Sequence, residues 1–451
     1  MGSGSSTSTS AELEAESDSI SALEKPLTRQ FEQYLGKPAT TPTATLTESR
    51  DILLKVEAAS GVKPALIYVT FVPSRVASNE DRSVPSPRQN PTSSALPEQG
   101  RSSKIQNPED QLELVLVTSD GSPIRIRVAG TRRSQVVKVA DEFRSQVTNL
   151  RSVDGYLAPA GQLYRWLVAP LEADLKALGI QNLAFVMDTG LRALPLAALH
   201  DGQQFLVEKY SVGLMPSLSL TDTRYKDIKN MQVLAMGAAK FPNLQPLPAV
   251  PVELSVITPS LWRGKSFLNE AFTLENLKEQ RQRQPFGMIH LATHATFRPG
   301  SPANSYIELW DSKLRLNQLS QLGWNDPPVE LLVLSACRTA LGDEQAELGF
   351  GGLAVQAGVK SALGSLWFVS DEGTLALMTQ FYQQLKSAPI KAEALRQAQL
   401  AMLKGRVHIE GGKLLTGKES VPLPPELAKL KDKNFEHPYF WAAFTMVGSP
   451  W

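Results

Sequence analysis

Three short apolar runs between Phe286 and Asp371 constrain this chain more than any other feature of its sequence. The first is Phe286-Gly-Met-Ile-His-Leu-Ala-Thr-His294-Ala295. The second is Val329-Glu-Leu-Leu-Val-Leu-Ser-Ala-Cys337-Arg338-Thr339, and the third is Lys360-Ser-Ala-Leu-Gly-Ser-Leu-Trp-Phe-Val-Ser-Asp371. Continuous Ile/Val/Leu runs, bounded by polar residues and separated by helical patterns, predict buried strands of a parallel sheet. In such sheets ligands and chemistry collect in the crevice at the carboxyl ends of the strands. His294, Cys337 and Asp371 all fall at those ends, and Cys337 is the only cysteine of the chain.

At 451 residues the chain has room for two or three domains with ample core. Its 46 Lys and Arg against 45 Asp and Glu give a net charge of +1, which offers nothing to nucleic acid or to an anionic membrane surface. One cysteine excludes an intramolecular disulfide and any multi-cysteine metal site. A thiol kept reduced favours a cytoplasmic setting. No run of about 18 apolar residues is present, so no membrane span is expected. The start, Met1-Gly-Ser-Gly-Ser-Ser, lacks the basic and apolar regions of a signal peptide.

In chain order, residues 1–45 are Ser/Thr/Pro/Glu-rich and are expected to be a disordered tail, with a marginal helix near Ala11–Leu23. Thr47 to Ser60 fits a short helix, although Thr47 and Arg50 do not make a capping box. Ala65–Val72 predicts a strand. Residues 74–106 are Pro/Ser/Asn/Arg-rich and read as a mobile insertion, with Arg75, Arg82, Arg88 and Arg101 open to proteolysis. Leu112–Thr118 and Ile124–Val128 predict a hairpin, followed by helices, a buried strand at Leu183–Asp188 and a further strand over Leu206–Leu214. A second strand–helix series begins at Gln232–Gly237 and contains the three central runs. Two helices follow Asp371, a Gly/Lys/Pro-rich loop spans about 405–425, and His437–Gly448 predicts a closing strand. The division expected is 1–45, 46–230 and 231–451, the last two being successive open-sheet units.

A lone cysteine is most often a small buried apolar residue. Cys337, however, stands at a strand exit with Arg338-Thr339 directly after it, and His294 holds the matching position on another run. A thiol with an imidazole at neighbouring strand ends points to a cysteine nucleophile with a histidine base. His290 and His294 are four apart, but no third ligand follows at a sensible spacing, so neither metal nor cofactor is expected; His290, inside its run, reads as a buried structural residue. Gly349-Phe-Gly-Gly-Leu-Ala-Val-Gln-Ala-Gly358 lacks the Gly-Lys-Ser/Thr ending of a phosphate loop and reads as a tight helix entry packed close to Cys337.

These residues carry a family resemblance. His-Leu-Ala-Thr-His294-Ala, Leu-Ser-Ala-Cys337-Arg-Thr and Leu-Trp-Phe-Val-Ser-Asp371-Glu-Gly-Thr resemble the core of the CHAT domain, a member of the caspase-like cysteine peptidases close to separase. Asp188-Thr-Gly-Leu-Arg-Ala-Leu-Pro-Leu-Ala-Ala-Leu199, Pro216-Ser-Leu-Ser and His437-Pro with Trp441-Ala-Ala-Phe extend the resemblance over most of residues 60–451, in wording similar to cyanobacterial CHAT proteins. The resemblance implies an α/β fold of caspase-like, mostly parallel open sheets flanked by helices, with a pseudo-caspase half followed by a catalytic half. It implies Cys337 as nucleophile, His294 as base and acid, and backbone N–H groups of Ala295 and Cys337 as the oxyanion hole. The family usually has Gly after the histidine; here the residue is Ala295, whose methyl group narrows the approach.

The resemblance also places Asp371 where separase-like enzymes receive a P1 arginine, with Asp343 or Glu344 as a second carboxylate. A carboxylate grips guanidinium in a fork, which favours Arg over Lys. The bland alternative is that Asp371 N-caps the helix that follows it. The function expected is a cysteine endopeptidase acting on a protein or peptide, controlled by a separate activator or sensor or by self-cleavage, with Arg281 and Arg283 as further candidate sites. The alternative is a catalytically silent CHAT interaction module.

Overall fold

The computed structural model describes residues 10–74, 106–339, 343–417, 419–429 and 431–451. The first half of the chain contributes strands β1 (Pro64–Val72), β2 (Gln111–Val117), β3 (Ile124–Arg132), β4 (Asn182–Met187) and β5 (Ser211–Met215). The second contributes β6 (Val233–Gly237), β7 (Gly264–Leu268), β8 (Met288–Phe297), β9 (Tyr306–Glu308), β10 (Lys313–Arg315), β11 (Leu331–Thr339) and β12 (Ser361–Ser365). Strands β13 (Val407–Glu410), β14 (Lys413–Thr416), β15 (Glu419–Pro422) and β16 (Lys433–Asn434) form a separate small sheet, and β17 (Phe444–Gly448) returns to the large one.

Among the described residues the large sheet has 13 strands and is continuous across both halves. Strands β7, β6, β8, β11 and β12 run parallel, in that spatial order. β17 pairs antiparallel with β12 and parallel with β5, and so joins the strands of the first half of the chain to those of the second. Beyond it lie β4 and β1, parallel to β5, and then the antiparallel β2–β3 hairpin. The three apolar runs are β8, β11 and β12, which are neighbours, so their carboxyl ends open onto one edge of the sheet.

β1 and β4 are apolar on both faces because both faces are covered. Ala65, Ile67, Val69, Leu183 and Phe185 enter the main core. Leu66, Tyr68, Ala184 and Val186 enter a second core together with Ile20, Leu27, Leu46, Leu53 and Val56. The expectation of a disordered segment up to residue 45 is therefore corrected over the described residues. A helix spans Ser10–Leu35 and a second spans Leu46–Ser60. Ile20, Leu23, Leu27, Phe31 and Leu35 recur at helical spacing, sparse enough to read as a polar tail. The polar residues between them are buried by pairing. Glu24 is 0% exposed and accepts from the Tyr68 hydroxyl (2.9 Å), the Leu218 and Ser219 N–H groups (3.1 and 3.0 Å) and the Ser219 hydroxyl (2.7 Å). Removing that carboxylate strands several buried donors, so Glu24→Ala is expected to lower stability by about 2–4 kcal/mol in urea denaturation. A loss below about 0.5 kcal/mol would mean that the helix contributes little to the fold.

Smaller differences have local causes. The second helix is capped two residues earlier than read, by a complete box in which Thr45 receives the Glu48 N–H and Glu48 receives that of Thr45. Leu206–Lys209 is helical before β5 begins, closed by Glu208 on the Phe205 N–H. The segment read as a loop over 405–425 folds into β13–β15, with Gly411 and Gly412 at φ 56 and 73 making the first turn. The insertion read over 74–106 lies outside the described residues except at its ends. Among the described residues no helix is long and apolar enough to cross a membrane.

Candidate active site

β8 and β11 pair in parallel from Leu331 beside Met288 to Thr339 beside Phe297. A bulge interrupts the register: Leu334 lies opposite Leu291, but Ala336 lies opposite His294 and Cys337 opposite Ala295. One extra residue on β8 therefore resets the side-chain alternation between its two histidines, as bulges beside functional sites do. In a regular strand His290 and His294 share one face. Here they have separate surroundings.

His290 is fully buried, with Nδ1 3.2 Å from the Tyr382 hydroxyl and Nε2 2.9 Å from Glu253 Oε1. Glu253 belongs to the helix Val250–Ser255 and Tyr382 to the helix Asp371–Leu385. The Tyr382 hydrogen bond ties the helix Asp371–Leu385 to β8, and the Glu253 carboxylate lies against the other ring nitrogen, in keeping with the buried position read for His290.

His294 is half-buried at the mouth. Its Nε2 lies 2.9 Å from the backbone oxygen of Gln245, and the Phe241 ring stands edge-on to it at 5.0 Å. A carbonyl only accepts, so Nε2 carries the proton and the Nδ1 lone pair is the basic site. The loop supplying that carbonyl follows β6 and is closed at its base by the Leu247 N–H on Ala239 O (2.9 Å). Asn269 Oδ1 holds the Ala239 N–H (2.9 Å), and Pro242, Pro246 and Pro248 stiffen the path. Because the contact is made by backbone, Gln245→Ala is expected to leave any His294-dependent activity within about twofold of wild type. A loss beyond tenfold would assign the role to the Gln245 side chain instead.

Ala295 is paired on both sides, with Cys337 of β11 and Ile307 of β9. The two backbone positions named for the oxyanion hole are thus adjacent.

Asp371 opens the helix Asp371–Leu385 but does not cap it. Ser370 is the N-cap, its hydroxyl accepting from the Gly373 N–H at 3.3 Å. The Asp371 carboxylate instead reaches the neighbouring helix, where Oδ2 accepts from the Ala249 N–H at 2.5 Å. Burial pushes its carboxyl up to about 7; the Ala249 N–H opposes the rise, and the Glu253 and Glu372 carboxylates add to it. One loop thereby touches two candidate residues, His294 through Gln245 and Asp371 through Ala249.

Asp343 is the N-cap of the helix Glu344–Gly351, accepting from the Gln345 and Ala346 N–H groups at 3.0 and 2.9 Å. Its carboxylate is engaged locally, whereas Glu344 is exposed and accepts from the Gln106 amide at 3.4 Å. Two features escaped the sequence. A main-chain carbonyl that orients a histidine has no side-chain signature. The contact from Asp371 to Ala249 joins residues 122 positions apart.

The chain has a caspase-like fold, a mostly parallel sheet flanked by helices, with His294 and Cys337 near the carboxyl ends of two adjacent strands; Asp371, expected at a third strand end, instead opens the helix that follows β12, because that strand stops at Ser365. The CHAT domain family model matches residues 157–449, and the chain belongs to that family. A separase–securin complex of Saccharomyces cerevisiae is similar with a TM-score of 0.50 at 9% identity, covering 98% of this chain and 34% of the matched chain. A second structure of that complex gives 0.46 at 10% identity with the same coverage. The complex of Porphyromonas gingivalis RgpB pro- and mature domains gives 0.38 at 11%, covering 70% of this chain and 76% of that one. The chain spans about a third of the separase-complex chain it matches. No curated protein sequence matches it.

Proposed function

We propose that this chain is a cysteine endopeptidase that hydrolyses peptide bonds through Cys337 and His294, with a basic residue at P1. The observation that carries the reading is a histidine whose Nε2–H is already held by Gln245, on a strand that pairs directly with the strand bearing Cys337; the ladder sets Cys337 opposite Ala295 and Ala336 opposite His294. The Cys337 sulfur attacks the scissile carbonyl while His294 Nδ1 takes the thiol proton. The tetrahedral oxyanion is held by the N–H groups of Ala295 and Cys337. His294 then gives its proton to the leaving amine, which leaves a thioester. Water attacks the thioester with His294 again as base, releasing the acid and restoring the thiol. The Gln245 carbonyl keeps the ring in one tautomer and stabilises the imidazolium.

Asp371 is the P1 acceptor of this reading. Its Oδ2 is shared with Ala249, so a guanidinium meets the carboxylate mainly through the other oxygen, and the margin of Arg over Lys narrows. Asp343 and Glu344 serve at most as a second, outer charge. The substrate is a protein or peptide, and activity is controlled by a partner or by self-cleavage. Self-cleavage belongs to the arginines of 74–106. Arg283 lies in helical backbone, as does Arg281, whose guanidinium is bound to the carbonyls of Phe286 and Pro327, both at 2.8 Å.

A second reading, a catalytically silent interaction module, rests on one observation. The β8–β11 ladder runs on past the dyad to Thr339 and Phe297, and Ala295 is paired on both flanks, which engages backbone groups that an oxyanion needs. Fluorogenic peptides differing only at P1, with labelling by a peptidyl-arginine chloromethylketone, separate the two. Turnover at Arg or Lys with Cys337 labelled is expected. Iodoacetamide alkylation of Cys337 without peptide-directed labelling would favour the silent module.

A further inference from the structure

The helix Glu344–Gly351 starts a few residues after Cys337 in the sequence, so its placement bears on where the cysteine segment lies. It is a weak helix. It has 8 residues, with Gly349 and Gly351 inside and Gly352 as its C-cap. Glycine is among the least favourable residues in a helix, and two turns do not persist alone. Its neighbours therefore decide its position.

On one flank Glu347, fully buried, accepts the Gly190 N–H at 3.1 Å and lies 3.4 Å from the Arg144 guanidinium. On the other flank sits the N-terminal helix, and the glycines are its seat. A Cβ on Gly349 would come 2.9 Å from the Tyr34 hydroxyl, one on Gly351 3.4 Å from the Phe31 ring, and one on Gly352 3.2 Å from that ring. Phe31 is fully buried and packs against the Arg192 guanidinium at 4.9 Å. Nη2 of that same guanidinium donates to Gln30 of the N-terminal helix at 2.6 Å. Gly349–Gly352, the start of the Gly349–Gly358 stretch read as a tight helix entry, is where the N-terminal helix lies against this one, with an ordinary contact at Gly351 and less room for a methyl group at Gly349 and Gly352.

We propose that the N-terminal helix positions the cysteine-bearing segment, with Phe31 and Tyr34 as positioning residues acting through the glycine seat. The inference rests on Cys337 being the nucleophile. Loosening the seat leaves the thiol present but displaced from peptide-directed chemistry.

The test compares two labelling rates of Cys337, by a peptidyl-arginine chloromethylketone and by iodoacetamide, in the full chain. Gly349→Ala raises helix propensity, so a role confined to the helix's own stability predicts no loss. The proposal predicts that the added methyl displaces Tyr34 and lowers the ratio of the two rates at least fivefold. In the pair Gly349→Ala with Tyr34→Phe the hydroxyl is gone, and the ratio is expected to return to within twofold of wild type. Phe31→Ala is expected to lower it at least tenfold and to speed amide exchange selectively across residues 344–352. Unchanged ratios in Gly349→Ala and Phe31→Ala would overturn the proposal, as would a rise. Wild-type protein that reacts with iodoacetamide but not with the chloromethylketone rejects the peptidase reading instead. The amide exchange then decides the seat by itself: unchanged protection of 344–352 in Phe31→Ala refutes it.

Discussion

Replacing Cys337 by alanine is expected to reduce cleavage of Arg-P1 peptides by on the order of 10³-fold or more, with the midpoint of thermal unfolding nearly unchanged. The size follows from the chemistry: without a nucleophile only binding and the oxyanion donors remain, and these alone give a small residue of catalysis. His294→Ala is expected to fall to a similar level. The double variant should be no worse than either single one, because the two side chains act in one proton transfer. Progress curves with a fluorogenic peptide, read beside a gel for self-cleavage, measure all three. Additive losses, or full activity in Cys337→Ala, would remove the dyad from the mechanism.

Asp371→Asn carries the second large effect. Its carboxylate is the charged partner proposed for P1, so kcat/KM for Arg substrates is expected to fall about 100-fold, on the order of 3 kcal/mol for a lost charge-assisted contact. The pH dependence is the sharper readout. With a carboxyl pushed up to about 7, wild type is mostly protonated at pH 6 and mostly ionised at pH 8. Competitive inhibition by a peptide ending in arginine should therefore tighten about tenfold over that interval, and in Asp371→Asn it should stay flat. Stability moves in the opposite sense. The native state holds this proton more tightly than the unfolded chain, whose ordinary value is 3.8, so the carboxyl's contribution to stability falls as pH rises between about 4 and 7. Asn keeps an oxygen for the Ala249 N–H without the buried charge, so the variant should be the more stable protein at pH 8. Pronounced pH dependence of inhibition persisting in Asp371→Asn would place the P1 acceptor elsewhere.

Much of the second half was legible because apolar runs are local signals. Met288–Phe297 and Leu331–Thr339 form strands over the first two runs, Ser361–Ser365 covers only the start of the third and stops short of Asp371, and the three strands are neighbours in the sheet. The N-terminal helix was misread because its buried face is half polar. Glu24, Thr28 and Glu32 read as solvated until Tyr68, Ser217, Ser219 and Thr41 are brought to them. The need for a cover was nonetheless written in β1, whose run Pro64-Ala-Leu-Ile-Tyr-Val-Thr-Phe-Val72 is apolar on both faces and so requires a layer on each.

The sequence by itself determined the strand-end placement of His294 and Cys337, the family and the mostly parallel sheet, because each depends on residues close together in the chain. Only the tertiary structure decided what those residues meet. The bulge that separates His290 from His294 is a matter of register between two strands. The Gln245 carbonyl on His294 and the Ala249 N–H on Asp371 are backbone groups, a carbonyl that every residue carries and an N–H that every residue but proline carries, so no letter of the sequence marks them. The glycines of the helix after Cys337 are explained only once a helix from the other end of the chain lies against them. Side-chain chemistry is written in the residue, whereas a partner across the fold exists only after the chain has closed on itself.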